Sequence, residues 1–289
     1  DNGRLYPGFT PEFAKKMAEL CKKADLIVPI NRVKLHTDFV GPIQSGLCKM
    51  LVIGLGNHKG CSAVHEEAPE VFADAIEETA RLILQKAPVG FGIAILENAY
   101  DKTYAVEAVP AEHLVEREKE LVQIAKGNMP YIMLDEADVI VCGAIGKDIS
   151  GAGFDPNILG RSSVLKQFVL HIPRYQRLVL CDVTPASHGN GIGVGLFDVI
   201  TKKVAEQLDL ESMYANAIAC NCLGDASVPC TVDDEETAIR VALKCCRNID
   251  RDHPRIIRIQ NTLHLGEIEV SEALLDAVRA DSRMSLIEN

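Results

Sequence analysis

The apolar and polar positions along the chain predict alternating strands and helices. Short, mostly apolar runs are typical of strands buried in parallel sheets, and they occur at residues 26–29, 137–142, 177–183 and 256–259. Apolar residues three or four positions apart predict amphipathic helices over residues 10–23, 69–85, 110–126, 233–247 and 274–278, and a further helix that ends at 208. The pattern therefore indicates the α/β class.

The order of these elements predicts two domains. Residues 89–96 and 104–109 have the pattern of a strand and its hairpin neighbour, and a charged helix follows them. A second series of strands and helices starts near Pro130. We therefore expect two Rossmann-like domains with mostly parallel sheets, at residues 1–128 and 129–289, and an active-site cleft between them.

A group of basic residues follows the first predicted strand. Arg32, Lys34 and His36 lie in a loop at the end of this strand, where α/β proteins usually bind ligands. Lys49 then stands in the apolar segment 45–54. A lysine in such a segment is costly unless its charge is paired, lost or used chemically. The segment is therefore a candidate site for an anionic ligand.

Glycines and histidines continue this group along the chain. Gly46 directly precedes the lysine segment, and Gly54, Gly56 and Gly60 follow it, together with His58 and His65. Glycines let the backbone approach a ligand closely, and neutral imidazole is a good ligand for nickel and similar metals. Taken one at a time, the same residues also fit a solvated loop and a lysine at a helix end.

The stretch resembles the nickel-pincer lactate racemase family. Lys49 precedes His65 by sixteen positions, and His36 lies upstream in a Val-Lys-x-His-Thr setting. The resemblance implies that Lys49 carries a covalently tethered pyridinium dithio-mononucleotide, that His65 is the protein ligand of its nickel, and that His36 transfers protons. It also makes Arg32, Lys34, Gly46 and His188 candidates for binding the cofactor.

The resemblance further implies a racemase or epimerase of a 2-hydroxy acid. Hydride leaves the α-carbon for the cofactor while a histidine takes the hydroxyl proton. Members of the family carry a further N-terminal segment with a second acid–base histidine, so we expect the present chain alone to be inactive. The loop at 143–157 has Lys147 and Asp148 but lacks the family's glutamine and lysine, for which Arg161 or Lys166 are candidates. This departure leaves the substrate open beyond lactate.

A glycine-rich turn at 189–195 supports an alternative function. It follows the strand predicted at 177–183, and such turns can bind phosphate through backbone N–H groups. Its spacing is not that of the dinucleotide fingerprint, and the turn is equally explained by a need for positive φ. A nucleotide-dependent oxidoreductase is therefore one alternative. A non-catalytic metal or cofactor carrier is another, because the chain has clustered histidines and ten cysteines.

Composition narrows the partners and the compartment. The net charge of −11 argues against nucleic acid and anionic membranes as partners. The sequence has no apolar run of membrane-spanning length. The cysteines lie in apolar runs and match neither zinc-ribbon nor ferredoxin spacings, including Cys220, Cys222, Cys230, Cys245 and Cys246. We therefore expect reduced structural thiols and a cytoplasmic protein that binds a small hydroxy acid and is compatible with a homo-oligomer.

Overall fold

The computed structural model describes residues 23–55 and 69–287. The chain divides into two compact units. Within the described ranges the N-terminal unit holds residues 23–130 and 164–169, and the C-terminal unit holds residues 131–163 and 170–287. Most of the helix predicted at 10–23 lies outside the described residues, as do Gly56, Gly60, His58 and His65.

Within its described residues, the N-terminal unit contains a three-stranded mixed sheet and three helices. The strands, in the spatial order β1-β2-β3, are β1 (Ile30–Arg32), β2 (Phe91–Glu97) and β3 (Thr103–Pro110). Strand β2 pairs parallel with β1 and antiparallel with β3, so the predicted hairpin is confirmed. The helices are α1 (Leu47–Lys49), which continues as a π turn over Met50–Gly54, α2 (Phe72–Lys86) and α3 (Leu114–Asn128).

Two details of this unit differ from the prediction. The strand predicted at 26–29 begins only at Ile30, and Leu26 is 55% exposed. Proline has no N–H to donate, so regular pairing starts after Pro29. In α2 the buried stripe is Phe72, Ile76 and Ala80. Val71 and Leu82, two apolar residues of the helix predicted at 69–85, are exposed because they lie off this four-residue spacing.

The C-terminal unit is built on a six-stranded, mostly parallel sheet that is compatible with a Rossmann-like fold. The spatial order is β7-β6-β5-β4-β8-β9, with β4 (Val139–Cys142), β5 (Arg177–Leu180), β6 (Val199–Thr201), β7 (Cys230–Val232), β8 (Ile256–Ile259) and β9 (Ile268–Val270). Only β9 runs antiparallel to its neighbour. The helices are α4 (Pro156–Leu159), α5 (Lys202–Gln207), α6 (Leu210–Ala219), α7 (Glu235–Lys244) and α8 (Leu275–Ala280).

Three strands of this sheet, β6, β7 and β9, were not predicted. The single helix expected to end at 208 is replaced by strand β6 followed by the short helix α5. Strand β8 is not the last strand, because β9 pairs with it along the sheet edge. All three missed strands have only three residues, which is too short for a period of two to be visible in the sequence.

One part of the core of the C-terminal unit lies between the sheet and α7. All four residues of β4 are buried. Val139 and Val141 on β4, with Val179 and Val199 on the neighbouring strands, pack against α7, and Ala238, Ala242 and Cys246 are buried with them. Small side chains on the helix permit this close approach. Cys246 therefore packs as a small apolar residue, while Cys245 beside it is exposed.

Asp138 fixes the starts of two neighbouring strands. Its buried carboxylate accepts hydrogen bonds from the backbone N and from Nη2 of Arg255, both at 2.8 Å. Asp138 directly precedes β4 and Arg255 directly precedes β8. The contact therefore fixes the register at which the two strands enter the sheet.

Replacing Asp138 by Ala is expected to lower the free energy of unfolding by roughly 2 to 4 kcal/mol, because it leaves the backbone N–H of Arg255 without its acceptor and removes one of the two carboxylates that pair with the guanidinium. Urea unfolding followed by circular dichroism measures the change. Asp276→Ala is the control, since that carboxylate is 99% exposed and its loss is expected to leave the unfolding midpoint unchanged. Equal effects of the two substitutions would contradict the assignment.

Candidate functional site

His36 and Lys49 lie in direct contact in the N-terminal unit. Nε2 of His36 and Nζ of Lys49 are 2.6 Å apart, although the residues are thirteen positions apart in the chain. The intervening loop closes through an antiparallel bridge, in which Lys34 N donates to Ser45 O at 2.9 Å and Ser45 N donates to Lys34 O at 3.2 Å. The structure thus brings together the two residues predicted to carry the chemistry.

The short helix α1 presents Lys49 at this contact. Leu47, Cys48, Leu51 and Val52 are fully or almost fully buried, while Lys49 is half-buried. The apolar face therefore holds the helix in the core and leaves the lysine at its margin. The following π turn is closed by a hydrogen bond from Leu55 N to Met50 O; such turns are frequent at functional sites.

Three neighbours fix the orientation of His36. Its backbone N donates to Oε1 of Gln44 at 2.8 Å, and its ring stacks on Phe39 with 4.2 Å between the centroids. The backbone N of Asp38 donates to Nδ1 of His36 at 3.0 Å. An accepting Nδ1 carries a lone pair, so the proton of the neutral ring is on Nε2.

This tautomer bears on the protonation state of Lys49. An Nε2–H group of His36 donates, so Nζ of Lys49 would accept, and an ammonium has no lone pair with which to do so. The contact with His36 therefore favours the uncharged amine of Lys49. An uncharged lysine is a nucleophile for acyl and carbonyl carbon, which an ammonium is not.

The buried carboxylate of Glu118 holds the start of α1. Glu118 lies on α3 and is fully buried. Its Oε2 accepts from the backbone N of Cys48 at 2.8 Å, while Gly46 at the helix start provides no side-chain cap. Among the described residues, no group forms a hydrogen bond with Oε1. Burial, the largest cause, raises the pKa of Glu118 to about 7, and burial together with Glu118 raises the pKa of the Cys48 thiol.

The absence of a side chain at Gly46 leaves room for the carboxyl group of Glu118. A Cβ at Gly46 would lie 2.6 Å from both Cδ and Oε1 of that carboxyl group. The φ of Gly46 is −178°, an extended value that any residue adopts. Space, and not backbone conformation, therefore requires glycine here. The described contact of Gly46 is thus with the protein; its predicted contact with a cofactor stays a prediction.

Sequence reasoning missed Glu118, although the sequence contains a signal for it. The charged helix was expected to expose its Glu and Lys residues on one face. Glu118, however, lies on the same stripe as Leu114, Leu121 and Ala125, all of them buried. A single carboxyl on an apolar stripe is the pattern that identifies such a residue.

The basic residues of the loop have partners within the protein. Nη1 of Arg32 contacts Oε1 of Glu97 at 3.0 Å on the neighbouring strand. Lys34 is held through its backbone by Ser45, and Asn31 donates from Nδ2 to Gly46 O at 2.9 Å. These contacts fix the loop against α1. Binding of a cofactor by Arg32 and Lys34 stays a prediction.

The other predicted site residues lie in ion pairs or loop contacts. Arg161 contacts Asp198 at 2.6 Å, and Lys166 contacts Glu70 at 2.7 Å. Nζ of Lys147 donates to Gly151 O at 2.6 Å. The Oγ1 of Thr184 donates to Asp148 and contacts Ser187. These groups stabilise the loops in which they lie.

His188 and the glycine-rich turn belong to the C-terminal unit. His188 is exposed and has a φ of 48°, and Gly189 and Gly193 also have positive φ, as a tight turn requires. A Cβ at Gly193 would lie 2.3 Å from Ala152 O, and one at Gly153 would lie 2.1 Å from Ile192 O. The protein's own backbone therefore fills the space beside these glycines.

Metal binding cannot be assigned from the described ranges. They hold no cluster of three His, Cys, Asp or Glu side chains arranged to bind a metal ion. The predicted nickel ligand His65 lies outside them.

Within residues 23–55 and 69–287, no helix combines the length and apolar character needed to cross a bilayer.

Comparisons with known proteins found no matching family model, curated protein or solved structure.

We expect Lys49 to be acylated faster than the exposed Lys102 at about neutral pH, where an ordinary lysine is almost entirely protonated. His36→Gln removes the Nε2–H donor, so Lys49 is expected to take up a proton and to react roughly tenfold more slowly. Trace labelling with acetic anhydride followed by peptide mass spectrometry measures both rates. His113→Gln, at an exposed histidine, is the control. Equal labelling of Lys49 and Lys102 in the unaltered protein would refute the uncharged amine.

We expect Glu118→Gln to stabilise the protein at alkaline pH and to have little effect in acid. The folded-state pKa is raised from 4.5 to about 7, so the folded state holds this proton more tightly than the unfolded chain does. Stability present below about pH 4.5 is therefore lost as the pH rises through about 7. The loss is at most about 3 kcal/mol, and an amide avoids it because it does not titrate.

Urea unfolding at a series of pH values measures this difference. Glu120→Gln is the control, since that carboxylate lies on the same helix and is 65% exposed. The expected result is a stability difference between Glu118→Gln and the unaltered protein that grows from about pH 5 to about pH 8. A difference that does not change with pH would disprove the raised pKa.

Proposed function

We propose that the protein is a racemase or epimerase of a 2-hydroxy acid that acts with a nickel-pincer nucleotide tethered to Lys49. The observation that carries the proposal is the 2.6 Å contact between Nζ of Lys49 and Nε2 of His36. It places a nucleophilic amine beside an acid–base imidazole, which are the two protein groups that a tethered cofactor and a hydroxyl proton require.

The described residues fit such a cofactor. Covalent attachment through an amine needs an uncharged lysine, and the tautomer of His36 favours that state of Lys49. The chemistry that the bound group would supply is acceptance of hydride from the substrate α-carbon and its return. His65 remains the proposed nickel ligand by resemblance.

Acylation of Lys49 would change what His36 can do. An acylated amine nitrogen donates a hydrogen bond and no longer accepts one. Nε2 of His36 could then accept only if its ring proton moved to Nδ1, and the hydrogen bond from Asp38 N to Nδ1 would have to break. Oδ2 of Asp38 lies 3.9 Å from Nδ1. In this tautomer Nε2 has the lone pair of a general base, able to take the hydroxyl proton of a 2-hydroxy acid and to return it.

No described observation favours the nucleotide-dependent oxidoreductase. Its phosphate would need open space beside the glycine-rich turn. The atoms nearest to a Cβ at Gly189, Gly193 and Gly195 are instead carbonyl oxygens of the chain, at 1.9 to 2.8 Å. The turn also leads into strand β6, and not into a helix whose N-terminus could bind phosphate.

Production in a host that makes the pincer nucleotide tests the proposal. We expect the intact mass to show an adduct of nucleotide size, mapped to the Lys49 peptide. The control is Lys49→Arg, which keeps a positive side chain without an acylable amine and is expected to have the unmodified mass. The modified protein is then tested for exchange of the α-hydrogen across a panel of 2-hydroxy acids. An unmodified mass from such a host would overturn the tether.

A further inference from the structure

We propose that Glu118 is the positioning residue for Lys49, and that its ionised carboxylate fixes the first turn of α1 so that Nζ meets His36. This inference rests on the proposed function in one respect, namely that the reactive amine is that of Lys49. It assigns to α3 a role in the site that neither the sequence pattern nor the resemblance indicates.

No cation of the described ranges pairs with Glu118. Within residues 23–55 and 69–287, no lysine, arginine or histidine forms an ion pair with this carboxylate, although it is fully buried. Its neighbour Lys119 pairs instead with Glu77 at 2.9 Å. A buried carboxylate without a cation is costly to the fold. A group that the fold disfavours is more readily explained by a task at a site than by stability.

The contact of Glu118 leads directly to the reactive lysine. The accepted N–H belongs to Cys48, the residue before Lys49. In a first helical turn, a displacement of this backbone atom moves the next Cα with it. Asn31 holds the carbonyl of Gly46 at 2.9 Å on the same turn. Two anchors from different elements therefore set where the lysine side chain starts.

Gly46 is the matching part of this arrangement. Gly46 has no Cβ, so the carboxyl group of Glu118 can pack against its Cα. A Cβ at this position would lie 2.6 Å from Cδ and Oε1 of Glu118. An ordinary N-cap residue such as Ser or Asp at position 46 would satisfy the helix start locally. The chain instead uses a side chain that is seventy positions away. The position of Lys49 thereby depends on the packing of α3.

Trace acetic anhydride labelling of unmodified protein at about pH 8 tests the assignment. Glu118→Gln keeps the shape but is a weaker acceptor, so α1 is expected to shift and Lys49 to be labelled about fivefold more slowly relative to Lys102. Glu120→Gln is expected to leave the ratio unchanged. Since Glu118→Gln is expected to stabilise the fold at this pH, slower labelling of a stable protein cannot be ascribed to unfolding.

Gly46→Ala provides the second variant, because its Cβ displaces the carboxyl group without removing its charge. Gly46→Ala is expected to slow the labelling of Lys49 by a similar factor. In a Glu118→Ala background the clash is absent, so adding Gly46→Ala is expected to leave the labelling rate of that variant unchanged. Independent, additive effects, or labelling at the unaltered rate in Glu118→Gln, would overturn the proposal. Because no cofactor is used, a failure of the racemase proposal leaves this result unaffected.

Discussion

The hydrogen bond from the backbone of Asp38 to Nδ1 of His36 is the constraint on which the chemistry of the N-terminal unit depends. It is made by the main chain, so no side-chain substitution removes it directly. It assigns the ring proton to Nε2, and the same proton then requires an accepting partner at 2.6 Å. This geometry favours the uncharged amine of Lys49. A main-chain hydrogen bond that spans two residues thus bears on the nucleophilicity of a lysine.

Much of the fold could be predicted from the sequence, because its longer elements have clear periodicity. Helices α2, α3 and α7, the β2–β3 hairpin and the buried strand β4 all form near their predicted positions. Strands β6, β7 and β9 could not be predicted, since three residues carry no visible period and their pairing is decided by neighbours distant in sequence. The local sequence pattern predicts the longer helices and strands. A three-residue strand is defined only by its pairing with neighbouring strands in the folded sheet.

The candidate site divides in the same way. His36 and Lys49 could be expected to act together because both follow one strand and match one family pattern. Their contact, the tautomer and the role of Glu118 could not be predicted, because each depends on a backbone group or on a partner up to seventy positions away. Arg32 shows the converse: a basic residue that suggested a ligand from its sequence position is paired with Glu97 on the next strand. The type of a side chain shows which ligands or ion pairs it can bind, and its neighbours in the fold decide which of these it forms.

The two loops that follow β4 and β5 are joined in a way that affects how the C-terminal unit can move. Gly153 has the carbonyl of Ile192 where its side chain would be, and Gly193 has the carbonyl of Ala152 in the same place. A carbonyl group of each loop therefore packs against a glycine of the other. A shift of one loop alone would leave a void or cause a steric clash. The loops behave as a single mechanical body at the carboxyl edge of the sheet. Any motion there is a motion of both loops, with one opening equilibrium and not two.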